Sequence, residues 1–110
     1  MKRPFFSIVI PTKNRPHLLR DAIASATLQN FDDLEIVISD NYNDIKTKEV
    51  IDEFRNDGRI KYVRTERELG MVDHWEFALR QATGRYILVL TDRGFFKQGA
   101  LRYIHKTITT

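Results

Sequence analysis

Strand-like and helix-like segments alternate four times along this chain, and that alternation constrains the fold more than anything else in it. Phe6-Ser7-Ile8-Val9-Ile10 is apolar and β-branched, and Pro11 is expected to stop it. After the polar turn Thr12-Lys13-Asn14-Arg15-Pro16, the residues Leu19, Ala22, Ile23 and Ala26 share one face of a helix. Leu34-Glu35-Ile36-Val37-Ile38-Ser39 reads as a second strand, closed by Asp40-Asn41-Tyr42-Asn43-Asp44. Val50, Ile51 and Phe54 mark a second helix, expected to end at Asp57-Gly58, and Ile60–Arg64 is a third strand. Trp75, Ala78, Leu79 and Ala82 recur at helical spacing and predict a third helix ending at Gly84 with Trp75 in the core. Tyr86–Leu90 is the fourth strand, and Leu101, Ile104 and Ile108 suggest a last helix. Strands joined through helices connect by right-handed crossovers, so the pattern predicts an α/β domain with a mainly parallel sheet of about four strands, covered on both faces.

The 110 residues read as a single domain, 1–110, with no repeat, low-complexity segment or dividing linker. Basic residues number 18 against 15 acidic ones, and their even spread leaves no run suited to binding nucleic acid. The absence of cysteine excludes disulfide and thiolate chemistry and fits a reducing, cytoplasmic setting. No apolar run is long enough for a transmembrane segment, and Met1-Lys2-Arg3-Pro4 leads into a strand rather than a signal-peptide core. His17, His74 and His105 are far apart and lack metal-ligand spacing, and His74, just before Trp75 on the third helix, is expected at the surface, with a position facing the crevice as the alternative.

Three polar clusters follow strands one, two and four, so a parallel sheet would gather them along one edge, where such sheets bind ligands. Thr12, Lys13, Asn14 and Arg15 offer a hydroxyl and cations to a nucleotide, or a helix cap from Thr12 or Asn14. Ser39, Asp40 and Asn41 offer acceptors for a base N–H or a ribose hydroxyl, or satisfy a turn. In the third cluster Asp92 suits a ribose hydroxyl and Arg93 a bidentate grip on phosphate. The alternative there is Asp92 capping a helix and pairing with Arg93. No glycine-rich dinucleotide loop, Walker loop or Ser/His/Asp arrangement is present. A receiver-type domain would place its acidic cluster and lysine at other strand ends.

In order, these residues resemble family 2 glycosyltransferases of the GT-A fold. Ser7-Ile8-Val9-Ile10-Pro11-Thr12-Lys13-Asn14-Arg15 is similar to that family's opening strand and loop. Gln29-Asn30-Phe31 before Leu34–Asn41 resembles its Q-x-F…E-I-x-x-x-D-[DN] block, and His74–Tyr86 resembles the approach to its D-x-D loop. The resemblance implies a Rossmann-like three-layer α/β/α arrangement, a partial GT-A fold holding the donor half. The implied partner is a nucleotide-diphosphate sugar, a UDP-sugar first, and the implied reaction transfers the sugar to an acceptor hydroxyl with inversion. It puts Thr12 and Asp40 at the base and Asp92 at the ribose or diphosphate. It also implies Mg²⁺ or Mn²⁺ on the carboxylate after Asp92, but Arg93 stands there, and Gly94 stands where another acidic residue is common. A guanidinium repels a cation, so that site is expected to be weak or absent. Arg93 then either neutralises the diphosphate or marks a lost site.

The family's catalytic domains are longer and carry the acceptor site and base beyond the matched region, so the chain reads as truncated and inactive alone. The alternative function is a non-catalytic nucleotide-binding or interaction module. An open fourth-strand edge with Ile87 and Val89, and Phe95 and Phe96 nearby, leads to the expectation of a homo-oligomer.

Overall fold

The computed structural model describes residues 3–42 and 45–110. Met1, Lys2, Asn43 and Asp44, which the readings of the N-terminus and the second polar turn included, lie outside the described residues. The elements run β1 (Phe6–Thr12), α1 (Pro16–Thr27), β2 (Leu34–Asp40), α2 (Ile45–Asp52), β3 (Ile60–Arg64), α3 (Met71–Arg80), β4 (Tyr86–Val89) and α4 (Ala100–Thr109). All strand pairs are parallel, in the order β3-β2-β1-β4. The α/β class and parallel four-strand sheet expected from the alternation are those observed.

The register separates two kinds of side chain. Phe6, Ile8 and Ile10 of β1 stand beside Leu34, Ile36 and Ile38 of β2 and face one way. That face packs with α1 (Leu19, Ala22, Ile23, Ala26), α2 (Val50, Ile51) and α4 (Leu101) in the main core. The intervening residues, Ser7 and Val9 beside Glu35, Val37 and Ser39, face the other way, where Val9 and Val37 meet Ala78 of α3. Helices therefore lie on both faces, but unequally: Ile87 and Val89 of β4 remain exposed.

Several boundaries differ from expectation for local reasons. β1 runs through Pro11 to Thr12 rather than stopping at the proline. Leu90 N–H donates to Val9 O on the β4 side, and Pro11 turns its nitrogen the same way beyond the last β1–β4 pair, so no ladder bond is lost. α2 ends at Asp52. Asp57 instead accepts from the Arg59 N–H and guanidinium, while Arg59 also reaches the carbonyls of Thr27 and Phe31. α3 ends at Arg80. Gly84 opens the path into β4, where an added Cβ would lie 2.6 Å from Ser7 Oγ and 2.8 Å from Ser7 N, and its own N–H donates to Ser7 Oγ.

α3 is also rotated from its expected face. His74 and Ala78 are buried, whereas Trp75 and Leu79 turn outward, each 36% exposed. The sheet face it meets carries Ser39, so the histidine finds a hydroxyl there and Ala78 lets the helix approach Val9 and Val37. The end of α1 is tied to α4 by Gln29, whose Nε2 donates to Ser25 O and Lys97 O and whose Oε1 accepts the Leu101 N–H. That bond satisfies one of the free amides at the start of α4, where Gly99 adopts a left-handed φ of 81°.

Candidate functional site

Strand order reverses direction between β1 and β4, because the chain builds outward from β1 to β3 and then returns to β1's other side. In open α/β sheets the crevice at such a point, beyond the carboxyl ends of the strands, is the usual ligand site. A cleft of about 490 Å³ lies there. β1 and its following loop contribute Pro11, Thr12, Lys13 and Arg15; Asn41 follows β2; Thr91, Asp92 and Arg93 follow β4. Leu69, Gly70, Met71, His74 and Trp75 form the opposite wall.

Asp92 joins the two strands across the switch point. Thr12 Oγ1 donates to Asp92 Oδ2 at 3.0 Å, and Arg15 Nη1 donates to Asp92 Oδ1 at 3.2 Å. Thr12 and Asp92 are both buried, so this carboxylate is fixed in place rather than free to rotate. These bonds replace the simpler local roles considered for the same residues. Arg15 is the residue before α1 and no side chain caps that helix, so neither Thr12 nor Asn14 does so. No helix starts at Asp92, since the next one begins at Ala100. Asp92 pairs with Arg15 rather than with Arg93, which is exposed and has no ion-pair partner among the described residues.

The second cluster divides. Asn41 reaches the cleft and straps its far wall: Nδ2 donates to Leu69 O at 2.8 Å and Oδ1 accepts the Leu69 N–H at 2.9 Å. Asp40 lies fully buried outside the cleft lining, and its Oδ2 accepts from Tyr62 Oη at 2.8 Å. Burial, and then the Asp40 carboxylate, push the Tyr62 phenol well above its ordinary value, so it remains a donor. Asn14 also falls outside the lining, exposed at a left-handed φ of 53°, where its role is to turn the chain. Of the seven residues singled out from the sequence, Thr12, Arg15, Asn41, Asp92 and Arg93 line one cleft.

For His74 the structure takes the alternative reading, a place in the crevice, over the surface position expected first. The residue is 4% exposed rather than on the surface, lines the cleft, and places Nε2 at 3.0 Å from Ser39 Oγ. Burial, and to a smaller degree the Lys13 cation, hold its pKa below the ordinary value against the opposing hydrogen bond with Ser39. No local pattern could reveal this, because the pair forms only when α3 packs across β2.

The cation implied by the family resemblance does not fit these residues. Among the described residues no group of three or more His, Cys, Asp or Glu side chains is arranged to hold a metal ion. Asp92, the single carboxylate among the described residues that line the cleft, already carries the Arg15 guanidinium. Gly94 closes the turn by donating its N–H to Thr91 O, and a Cβ there would lie 3.1 Å from Leu90 Cδ1, so an acidic side chain would require Leu90 to yield. Among the described residues no helix is long and apolar enough to cross a membrane.

Comparison with known proteins agrees with this geometry. Residues 7–109 match the family model described as glycosyl transferase family 2. A GalNAc(5)-diNAcBac-PP-undecaprenol beta-1,3-glucosyltransferase of Campylobacter jejuni is 37% identical over 100 residues, covering 89% of this chain and 32% of the relative. Staphylococcus aureus TarS 1–349, solved in complex with UDP, superposes with a TM-score of 0.87 at 23% identity, over 94% of this chain and 32% of TarS 1–349. The mannosyltransferase PcManGT of Pyrobaculum calidifontis, solved with GDP-Man and Mn²⁺, gives 0.84 at 19% identity, over all of this chain and 34% of the other. The chain thus spans about a third of the length of each of these three proteins.

Proposed function

The chain belongs to glycosyltransferase family 2, and on that footing we propose that its cleft binds the nucleotide diphosphate of a sugar donor. The observation that carries this reading is the Thr12–Asp92–Arg15 bridge across the β1/β4 switch point, inside a cleft that also presents Lys13 and Arg93. Thr12, Asn41 and Asp92 offer hydrogen bonds to base and ribose, and the three cations offer charge to the phosphates. Asp40 accepts from Tyr62 outside the cleft lining and is not among the groups offered to the nucleotide. A UDP-sugar is the first candidate donor, since UDP sits in one structural neighbour; GDP-mannose sits in another.

In the longer architecture an acceptor oxygen would bond to the anomeric carbon as the sugar–phosphate bond breaks. The electron pair then leaves with the nucleoside diphosphate, the acceptor's proton passes to a carboxylate base, and the configuration inverts. On this reading the acceptor site and that base belong to the larger part of the relatives' length that this chain does not cover, and the single domain 1–110 is the donor half. The lack of cysteine supports a cytoplasmic setting. The exposed Met71, Val72, Trp75 and Leu79 on α3, with Ile87 and Val89 on the β4 edge, support self-association of this chain.

Trp75 lines the cleft and reports on occupancy. Titration with UDP, and separately GDP, is expected to change its fluorescence saturably. No response to either at millimolar concentration would sink the donor-binding reading. Arg93 favours a second reading, a binding module without transfer. Release of UDP from a UDP-sugar by a protein containing this domain together with the family's remaining length would exclude it.

A further inference from the structure

We propose that this cleft binds its diphosphate without a divalent cation, using Lys13, Arg15 and Arg93 as fixed positive charge; the inference rests on the donor-binding reading above. Among the described residues, the charges lining the cleft are three cations against the single carboxylate of Asp92, a net of +2, with the His74 pKa held below its ordinary value. Glu68 pairs with Lys13 at 3.2 Å from outside the lining, and the two side chains are 66% and 45% exposed respectively. Such a pair is held weakly, so Lys13 is available to an arriving anion. A diphosphate joined to both a nucleoside and a sugar carries one ionised oxygen on each phosphate, hence two negative charges. The lining matches that charge unaided.

The position of Arg93 makes the match specific. Relative to a carboxylate at the residue after Asp92, an arginine shifts the local charge by two units, which is the charge of the ion that such a carboxylate would hold. Arg93 is exposed, unpaired among the described residues, and set on the turn beside the fixed Asp92, so it can swing onto phosphate without first breaking a bond. Its guanidinium offers the bidentate geometry that phosphate oxygens accept. Arg15 is already oriented, because one of its nitrogens is held by Asp92 and its remaining donors are free to turn toward the cleft.

The test is calorimetric titration of the chain with UDP-GlcNAc and with GDP-mannose, which carry that two-unit charge, in EDTA and again in Mn²⁺, for wild type, Arg93→Ala and Arg93→Asp. The expected result is wild-type binding of equal strength in both conditions, with Arg93→Ala weakening it about tenfold or more in EDTA. Arg93→Asp is expected to weaken it further in EDTA and to regain affinity in Mn²⁺. Because Arg93 is exposed and unpaired, thermal melts of all three proteins should coincide, which separates lost binding from lost folding. Wild-type binding that appears only with Mn²⁺ would overturn the inference and leave the donor-binding reading standing. Metal-independent binding unaffected by Arg93→Ala would equally overturn the assignment to Arg93. No binding of either nucleotide in either condition would overturn both.

Discussion

The two faces of the sheet are built from the same strands yet behave as different materials. One receives Phe6, Ile8, Ile10, Leu34, Ile36 and Ile38 and is sealed by three helices into a dry core. The other receives Ser7, Glu35 and Ser39 around Val9 and Val37 and is covered by α3 alone. Its cohesion is largely polar: Ser7 Oγ donates to Glu35 Oε2 and accepts the Gly84 N–H, the same Glu35 oxygen accepts the Thr83 N–H and hydroxyl, and Ser39 meets His74. Burial of apolar surface is non-directional and stabilises the first face over its whole area, whereas hydrogen bonds stabilise the second only while each partner is present in the right protonation state. The difference teaches where the molecule is rigid and where it is conditional. The wall of the cleft formed by His74 and Trp75 belongs to the conditional face.

The largest expected effect lies on the dry face. Ile36→Ala should cost about 2–5 kcal/mol, since the side chain is fully buried among large neighbours and its removal leaves a cavity. Ile87→Ala on the open side should stay within about 0.5 kcal/mol. Urea unfolding of the two variants checks the contrast, and comparable losses would break it.

A smaller effect should follow pH. Burial raises the pKa of Glu35, but the hydrogen bonds from Ser7 and Thr83 outweigh it and hold the carboxyl below its ordinary value. His74 is also lowered, so the unfolded chain binds protons that the folded one does not. For His74 the stabilisation is complete above its ordinary value and is lost as pH falls below about 6.5. For Glu35 it is lost only at more acidic pH, below the ordinary carboxylate range. Melting temperature should therefore drop between pH 7 and pH 5, and His74→Gln should flatten that part of the profile. An unchanged slope in the variant would show that His74 does not govern it.

The smallest effect on stability should come from the outward face of α3, where Met71 and Val72 are 74% and 76% exposed. Val72→Ser should leave the melting temperature within a degree or so of wild type, while sedimentation shifts from a larger assembly toward monomer. A wild-type chain that sediments as a monomer at high concentration would refute the self-association reading.

Much of this was written in local pattern. The runs around Ile8 and Ile36 were legible as strands from their apolar, β-branched composition, while the register of the folded sheet set Ser7 and Ser39 on a different face from Phe6 and Ile38. The alternation of elements sufficed for the parallel sheet, and the polar residues after β1 and β4 sufficed to find Thr12, Arg15, Asp92 and Arg93. α3 was placed by its spacing but turned by one residue, because helical periodicity is broad enough to admit either face when Trp75, Leu79 and Ala78 are all apolar. Asp40 shows the converse. Nothing in its own neighbourhood indicates that Tyr62, on the next strand, closes over it.

What the sequence determined alone, then, was every element whose cause is local: strands from apolar, β-branched runs, helices from their spacing, and the position of the polar loops at one edge. The tertiary structure decided which of those polar groups stay available. Thr12 and Asp92 are eighty residues apart in the chain, as are Ser7 and Gly84 to within a few. Such pairs form only once strand order is fixed, and strand order depends on crossovers and packing between distant segments rather than on any residue's preference for its own conformation.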